Sequence, residues 1–186
     1  MERLEAFVGL LENESRCQNL VSVSSLPNIW GRHILDSAQL VRFEPRAGAS
    51  WADVGSGAGL PGVVIACLVE GPVTLIEPRR LRAEFLQHAI SSLKLNAIVA
   101  HARVEKVAGH FDVVTARAVA PLGKFFGISQ HLSTSNTVWA LPRGRNAHSE
   151  LAEAERAWQG VFHVEQSATD EESYIVVGTG VRARLR

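Results

Sequence analysis

The chain has little cysteine, little lysine and no long apolar run. Two cysteines in 186 residues, Cys17 and Cys67, stand far apart with no Cys-x-x-Cys spacing, which leaves no basis for a disulfide framework or a zinc ribbon. The seven histidines show no metal-ligand spacing, so no metal is expected. The longest apolar stretches, such as Val63–Val69 ("VVIACLV"), fall far short of the roughly 20 residues a membrane span needs. No membrane partner is expected, and Cys67 is expected to be buried. The N-terminus "MERLEAFVGLLENESR" carries acidic residues inside a helical pattern, unlike a secretory leader, so a cytoplasmic protein is expected. Net charge is lacking too, with 19 basic and 19 acidic residues, which argues against binding nucleic acid by bulk electrostatics alone. What charge there is on the basic side is arginine, 16 against 3 lysines. Arginine suits bidentate phosphate recognition and stacking on bases, and equally an ion-paired surface; charge alone leaves both open.

With 46% hydrophobic residues, the chain can bury a core without staples. Leu4, Phe7, Val8 and Leu11 recur at the spacing of one helix face. A second helix is expected from near Ser25, with Pro27 in its first turn, through "NIWGRHILDSAQLV". From Ser50 the pattern alternates. "SWADV", "VTLIE", "AIVAHA", "FDVVTA" and "TVWAL" read as strands, separated by helices at "GVVIACLVE", "RRLRAEFLQHAISSLKL", from Pro121, and through "AHSELAEAERAW". Such alternation implies right-handed crossovers and a doubly wound, mainly parallel sheet. Only "SATDEES" separates "VFHVEQ" from "SYIVVGT", too little for a helical crossover, so the last two of seven strands should form an antiparallel hairpin at one edge. The organisation expected is an N-terminal helical extension over residues 1–45, packed on an α/β domain over 46–186.

The stretch "DVGSGAGLPG" (Asp53–Gly62) brings backbone close to a ligand between the first strand and its helix. Gly57-x-Gly59-x-x-Gly62, with Glu77 twenty residues beyond Gly57, satisfies a dinucleotide fingerprint. Asp53-x-Gly55-x-Gly57-x-Gly59 satisfies the pattern of S-adenosyl-L-methionine enzymes. If "SWADV" is the strand, the first glycine of the dinucleotide frame arrives late, and Pro61 removes a donor where a pyrophosphate would sit. Asp53 at the strand's end offers a carboxylate to a cationic amino-acid moiety, so S-adenosylmethionine fits better. Glu77 can accept from ribose hydroxyls in either frame and does not discriminate.

Further on, "ARVEK" (Ala102–Lys106) follows the third strand, where a doubly wound fold places an adenine-contacting loop; a plain surface turn reads the same way. The fourth strand leads into "TARAVAP" and carries neither the [DN]PP[YFW] of amino-group methyltransferases nor a Pro-Cys. Arg117 is the polar group offered there, a poor general base. Methylating an amine, hydroxyl or carbon usually asks for proton management or a covalent adduct. Guanine N7 asks for neither, because its in-plane lone pair attacks the sulfonium methyl directly. A structural arginine paired with a strand-end acid is the other reading of Arg117. A small-molecule or protein methyltransferase, an NAD-dependent oxidoreductase and an inactive cofactor-binding rRNA module stay as alternatives at this stage.

Taken together, "NLVSV", "IWGRHILDSAQL", "DVGSGAGLPG", "TLIEP", "RVE" and "TARAVAPL" occur in order between about residues 19 and 145. In these segments the chain closely resembles the ribosomal RNA small subunit methyltransferase G family, also called glucose-inhibited division protein B. The resemblance implies a class I (Rossmann-like) methyltransferase fold with an N-terminal helical addition. It implies methylation of N7 of a guanine, guanine 527 in the usual numbering, in 16S rRNA of the small ribosomal subunit, by a protein expected to act as a monomer. It also implies cofactor contacts at Gly55, Leu60, Val104, Glu105 and Arg117, beside Asp53, Gly57, Gly59 and Glu77 of the motif. His33, Asp36 and Ser37 match the helix beside the cleft, and His33 and Asp36 with Arg117 and Arg143 make up the expected catalytic set; a capping or core pair also accounts for His33 and Asp36. Arg143-Gly144 stands where the family usually has Lys-Gly, and Glu171–Ser173 stands where a basic residue is common.

Overall fold

A computed structural model describes residues 1–185, apart from the side chains of Val23 and Ser24. Helix α1 (Glu2–Glu14) is followed by helical turns from Val23 to Phe43 that include the single α-turn α2 (Asp36–Ala38). Then come β1 (Trp51–Val54), α3 (Gly62–Leu68), β2 (Val73–Ile76), α4 (Arg80–Leu93), β3 (Ala97–Ala100), β4 (Val113–Thr115), α5 (Leu122–Ser129), β5 (Val138–Arg143), α6 (Ala147–Ala154), β6 (Trp158–Gln166) and β7 (Tyr174–Ala183). The seven strands form one sheet in the order β3-β2-β1-β4-β5-β7-β6. The first five pair in parallel. β7 runs antiparallel between β5 and β6, because the short turn after β6 admits only a hairpin.

Both faces of this sheet are covered, and the strands alternate between them as their period of two requires. Trp51 of β1 and Ala140 of β5 pack into one buried cluster with α1, α3 and α4. Ala52, Val54, Trp139 and Leu141 pack into the other with α5 and α6. There Trp139 meets Phe125 and Phe126 edge to face, at centroid separations of 5.9 and 5.3 Å. Leu4, Phe7, Val8 and Leu11 of α1 are all buried in the first cluster, each worth roughly 1.5–3 kcal/mol on docking. That burial holds α1 on the sheet.

Two expected elements differ. The helix expected from Ser25 to Val41 is a 3₁₀ segment (Val23–Asn28), a π segment (Trp30–Leu35), α2 and a second 3₁₀ segment (Gln39–Phe43). Its buried apolar residues Ile29, Ile34 and Leu40 are five and six positions apart, too far for one face of an α-helix, and the wider π turn absorbs the difference. The helix expected to reach Trp158 stops at Ala154. Trp158 opens β6, where its ring packs 5.6 Å from that of Phe126, so the second aromatic cluster claims it. Among the described residues, no helix is long and apolar enough to cross a membrane, and no group of three or more metal-ligating side chains exists.

Candidate functional site

The parallel strands β1, β2 and β4 end side by side, and loops leave them at the same edge, as ligand sites in doubly wound sheets require. After β1 the chain turns through Gly55 (φ +72°) and Gly57 (φ +54°), backbone regions that side chains rarely adopt. The turn is pinned from β2: the Gly55 and Ser56 N–H groups donate to the Ile76 carbonyl at 2.8 and 3.1 Å. Glu77, only 3% exposed, accepts the Gly57 N–H on Oε2 and the Arg79 N–H on Oε1, both at 2.8 Å. Its carboxylate therefore holds the turn, with one lone-pair direction left on each oxygen.

Asp53 is 1% exposed. Its Oδ2 accepts the Gly62 N–H at 3.1 Å, so the first donor of α3 is spent on protein rather than left for a phosphate. Its Oδ1 is buried without a partner. Burial pushes the Asp53 carboxyl up to about 6, with Gly62, Ser56 and Arg117 opposing the shift. A fixed cation brought to Oδ1 would satisfy the orphan acceptor and restore the charged form. These groups suit an ammonium-bearing, phosphate-free ligand.

Beside the glycine turn lies a cavity of about 490 Å³ whose walls include Asp36, Arg117, Val119, Pro142, Arg143, Glu150 and Tyr174. The two share a wall, since Val119 Cγ2 stands 2.7 Å from where a Cβ on Gly55 would lie. Ala118, between Arg117 and Val119, has φ +56°, a strained choice for a residue with a Cβ. Arg117 Nη1 lies 3.5 Å from Asp36 Oδ2 and 3.4 Å from His33 Nδ1. An arginine only donates, so His33 accepts on Nδ1 and carries its proton on Nε2, an atom buried without a partner. Burial first, then Arg117, pulls the His33 pKa down, which keeps the ring neutral at neutral pH.

Asp36 ties three elements together. Its Oδ1 accepts from Gln39 Nε2 (2.9 Å), Thr169 Oγ1 (3.0 Å) and Ser167 Oγ (3.3 Å). The Ala168 N–H donates to Gln39 Oε1 at 2.9 Å. The turn between β6 and β7 is thereby fastened to the helical run and to Arg117. On the next strand, Arg143 has a side chain 5% exposed, with Nε 3.6 Å from Glu150 Oε2 and Nη1 donating to the Pro142 carbonyl. Its Nε and Nη2 have no hydrogen-bond partner. Burial pulls its pKa down and Glu150 opposes this.

The structure thus brings together Asp53, Gly55, Gly57 and Glu77 at the turn, and His33, Asp36, Arg117 and Arg143 around the cavity. It does not bring the remaining expected residues to that cavity. Gly59 (φ +82°) faces Val63 and Phe7. Leu60 is 5% exposed within the first core cluster. Val104 packs in the second, its carbonyl 3.2 Å from His131 Nε2, and Glu105 is exposed. Sequence reasoning missed Gln39, Glu150, Ser167, Thr169 and Tyr174. A signal existed for two: Glu150 is seven residues past Arg143 on a helical pattern, and Tyr174 is the lone tyrosine, opening the last strand.

The family model described as rRNA small subunit methyltransferase G matches residues 1–173. A Ribosomal RNA small subunit methyltransferase G of Erythrobacter litoralis is 50% identical over 183 residues, covering 97% of this chain and 88% of the relative. Its namesake in Sphingopyxis alaskensis is 49% identical over 181 residues, covering 96% and 78%. Among solved structures, a SAM-dependent methyltransferase from Aquifex aeolicus superimposes with a TM-score of 0.67 at 14% identity, covering 89% of this chain and 97% of that one; the fold is that of class I methyltransferases. The chain belongs to the rRNA small subunit methyltransferase G family.

Proposed function

We propose that this protein transfers the methyl group of S-adenosylmethionine to N7 of a guanine in 16S rRNA. The observation that carries the reading is the unpartnered, buried Oδ1 of Asp53 in a glycine turn that shares the Val119 wall with an arginine-lined cavity. Asp53, Gly55 and Gly57 would hold the amino-acid end and backbone of the cofactor, Glu77 its ribose, and Val104 and Glu105 its adenine. Gly59 and Leu60 would act from behind, by fixing the turn against the core. When bound there, the cofactor supplies an electrophilic methyl on a sulfonium. The two carboxylates at the cavity are both engaged by arginine, Asp36 by Arg117 and Glu150 by Arg143. That suits a nucleophile with no proton to lose. What remains is alignment, exclusion of water, and compensation of the positive charge left on the base. Arg117 orients O6 or an adjoining phosphate, His33 and Asp36 hold Arg117, and Arg143 supplies the second cation. On this reading residues 1–45 are a helical addition to a catalytic unit over 46–186, and the protein works in the cytoplasm as a monomer.

The test has two arms. Calorimetry should show binding of S-adenosylhomocysteine and none of NADH; the reverse would favour an oxidoreductase. Labelled cofactor should deliver label to 16S rRNA, as 30S particles or as free RNA, and no transfer to either would end the proposal.

A further inference from the structure

Arg143 and Glu150 lie on the cavity wall away from the glycine turn, and the catalytic reading alone gives Glu150 no task. Along the sheet edge the strands run β1, β4, β5, β7, so Arg117 after β4 is nearest the turn. Arg143 on β5 and Tyr174 on β7 come next and face each other in register. Two strand spacings of ~4.8 Å separate β4 from β7, about the breadth of a purine and its contacts. A guanine whose N7 is presented toward β1 has its opposite edge, with the N1–H and N2–H donors, directed toward β5 and β7. The acceptor found there is the Glu150 carboxylate, its side chain one-third exposed and its Oε2 3.6 Å from Arg143 Nε.

We propose that Glu150 is a specificity-determining residue that reads the Watson–Crick edge of the target guanine, accepting from N1–H and N2–H while Tyr174 packs on the face of the base. The inference rests on the guanine-N7 reading above. Adenine offers no donor at N1 and none at C2, so the carboxylate would meet a lone pair and reject it. The contact also serves the reaction. As N7 takes the methyl, positive charge spreads over the purine and its N1–H becomes a stronger donor, so the Glu150 hydrogen bond tightens in the transition state. Arg143, itself buried, aligns the carboxylate through the adjacent ion pair. Tyr174, half-buried at the cavity, offers a flat apolar wall of the kind that stacks on an extruded base.

The experiment uses reconstituted 30S particles whose 16S rRNA carries either guanosine or inosine, which lacks N2, at the methylated position. The wild-type protein should prefer guanosine over inosine by roughly 10-fold or more in kcat/KM. Glu150→Gln should lower kcat/KM on guanosine by roughly 10- to 100-fold and abolish the guanosine-over-inosine preference, with S-adenosylhomocysteine affinity unchanged as the check on folding. A variant with the wild-type rate, or a slow variant that keeps the full preference, would overturn the assignment; the latter would mean that Glu150 only positions Arg143. Tyr174→Phe should keep the preference and Tyr174→Ala should raise KM, and an unaltered KM in Tyr174→Ala would refute the stacking role. If the wild-type protein labels no guanine N7, the underlying methyltransferase reading falls and this one falls with it.

Discussion

Asp53 is placed where folding and binding make opposite demands on one carboxyl. Burial raises it to about 6 from 3.8, so between those values the folded protein keeps a proton that the unfolded chain has released. Folding stability from this group therefore falls as pH rises from about 4 to about 6 and levels off above, by about 3 kcal/mol in all. Thermal melts across that window should show the decline in the ligand-free protein and a smaller one in Asp53→Asn. Binding has the opposite sign: an ammonium at Oδ1 needs the ionised carboxylate. S-adenosylhomocysteine should bind more weakly at pH 5 than at pH 7.5, and Asp53→Asn should remove the pH dependence and lower affinity at least tenfold; calorimetry at the two values checks both. Arg117→Ala should abolish transfer while leaving the melting curve largely in place, because its polar contacts to His33 and Asp36 are long, at 3.4 and 3.5 Å. The Asp53 site was legible in sequence because acid, glycines and strand end are contiguous there. Glu150 and Tyr174 each left a faint signal in the sequence, but that they share one cavity was not legible, because only the folded sheet and the helix after β5 bring them together.

At the scale of elements, α1 and the helical run act as a brace on the loops that form the site. Phe7 Cζ stands 3.1 Å from where a Cβ on Gly59 would lie, so α1 presses on the glycine turn itself. Phe7→Ala should lose about 3–5 kcal/mol of stability and weaken S-adenosylhomocysteine binding as well; denaturant melts beside calorimetry would separate the two effects. Gln39 bridges the run to the β6–β7 turn by two hydrogen bonds, donating to Ser167 Oγ and accepting from the Ala168 N–H, while its amide also donates to Asp36 within the run. Gln39→Ala should destabilise by about 1–3 kcal/mol and speed amide exchange over residues 167–173 with cofactor affinity unchanged, which hydrogen-exchange mass spectrometry can read. The strand and helix alternation was legible because both faces of each central strand are apolar and glycine or proline punctuates the loops. The π segment was not, since a helix rule of three and four passes over the five-residue step from Ile29 to Ile34. Trp158 misled the helix end for a related reason: its place is set by Phe126, 32 residues earlier in the chain.

For the whole molecule, the open parallel edge of the sheet collects the glycine turn, the β4 loop, Arg143 and the hairpin turn at one place, while net charge stays at zero. Two arginines and two carboxylates share the cavity, a balance suited to receiving a neutral base and releasing it after it has gained a positive charge. On the proposed reading, affinity for the RNA comes from shape more than from phosphate attraction. Non-specific duplex RNA should accordingly compete poorly at physiological salt, and strong competition in a filter-binding assay would contradict this. The most direct measurement is to map the methyl group itself. After incubation with S-adenosylmethionine, 16S rRNA reduced with borohydride and treated with aniline should break at one guanine, the chemistry that distinguishes N7 methylation from methylation at any other position of guanine. Methyl incorporation into the rRNA without such a break would contradict the account.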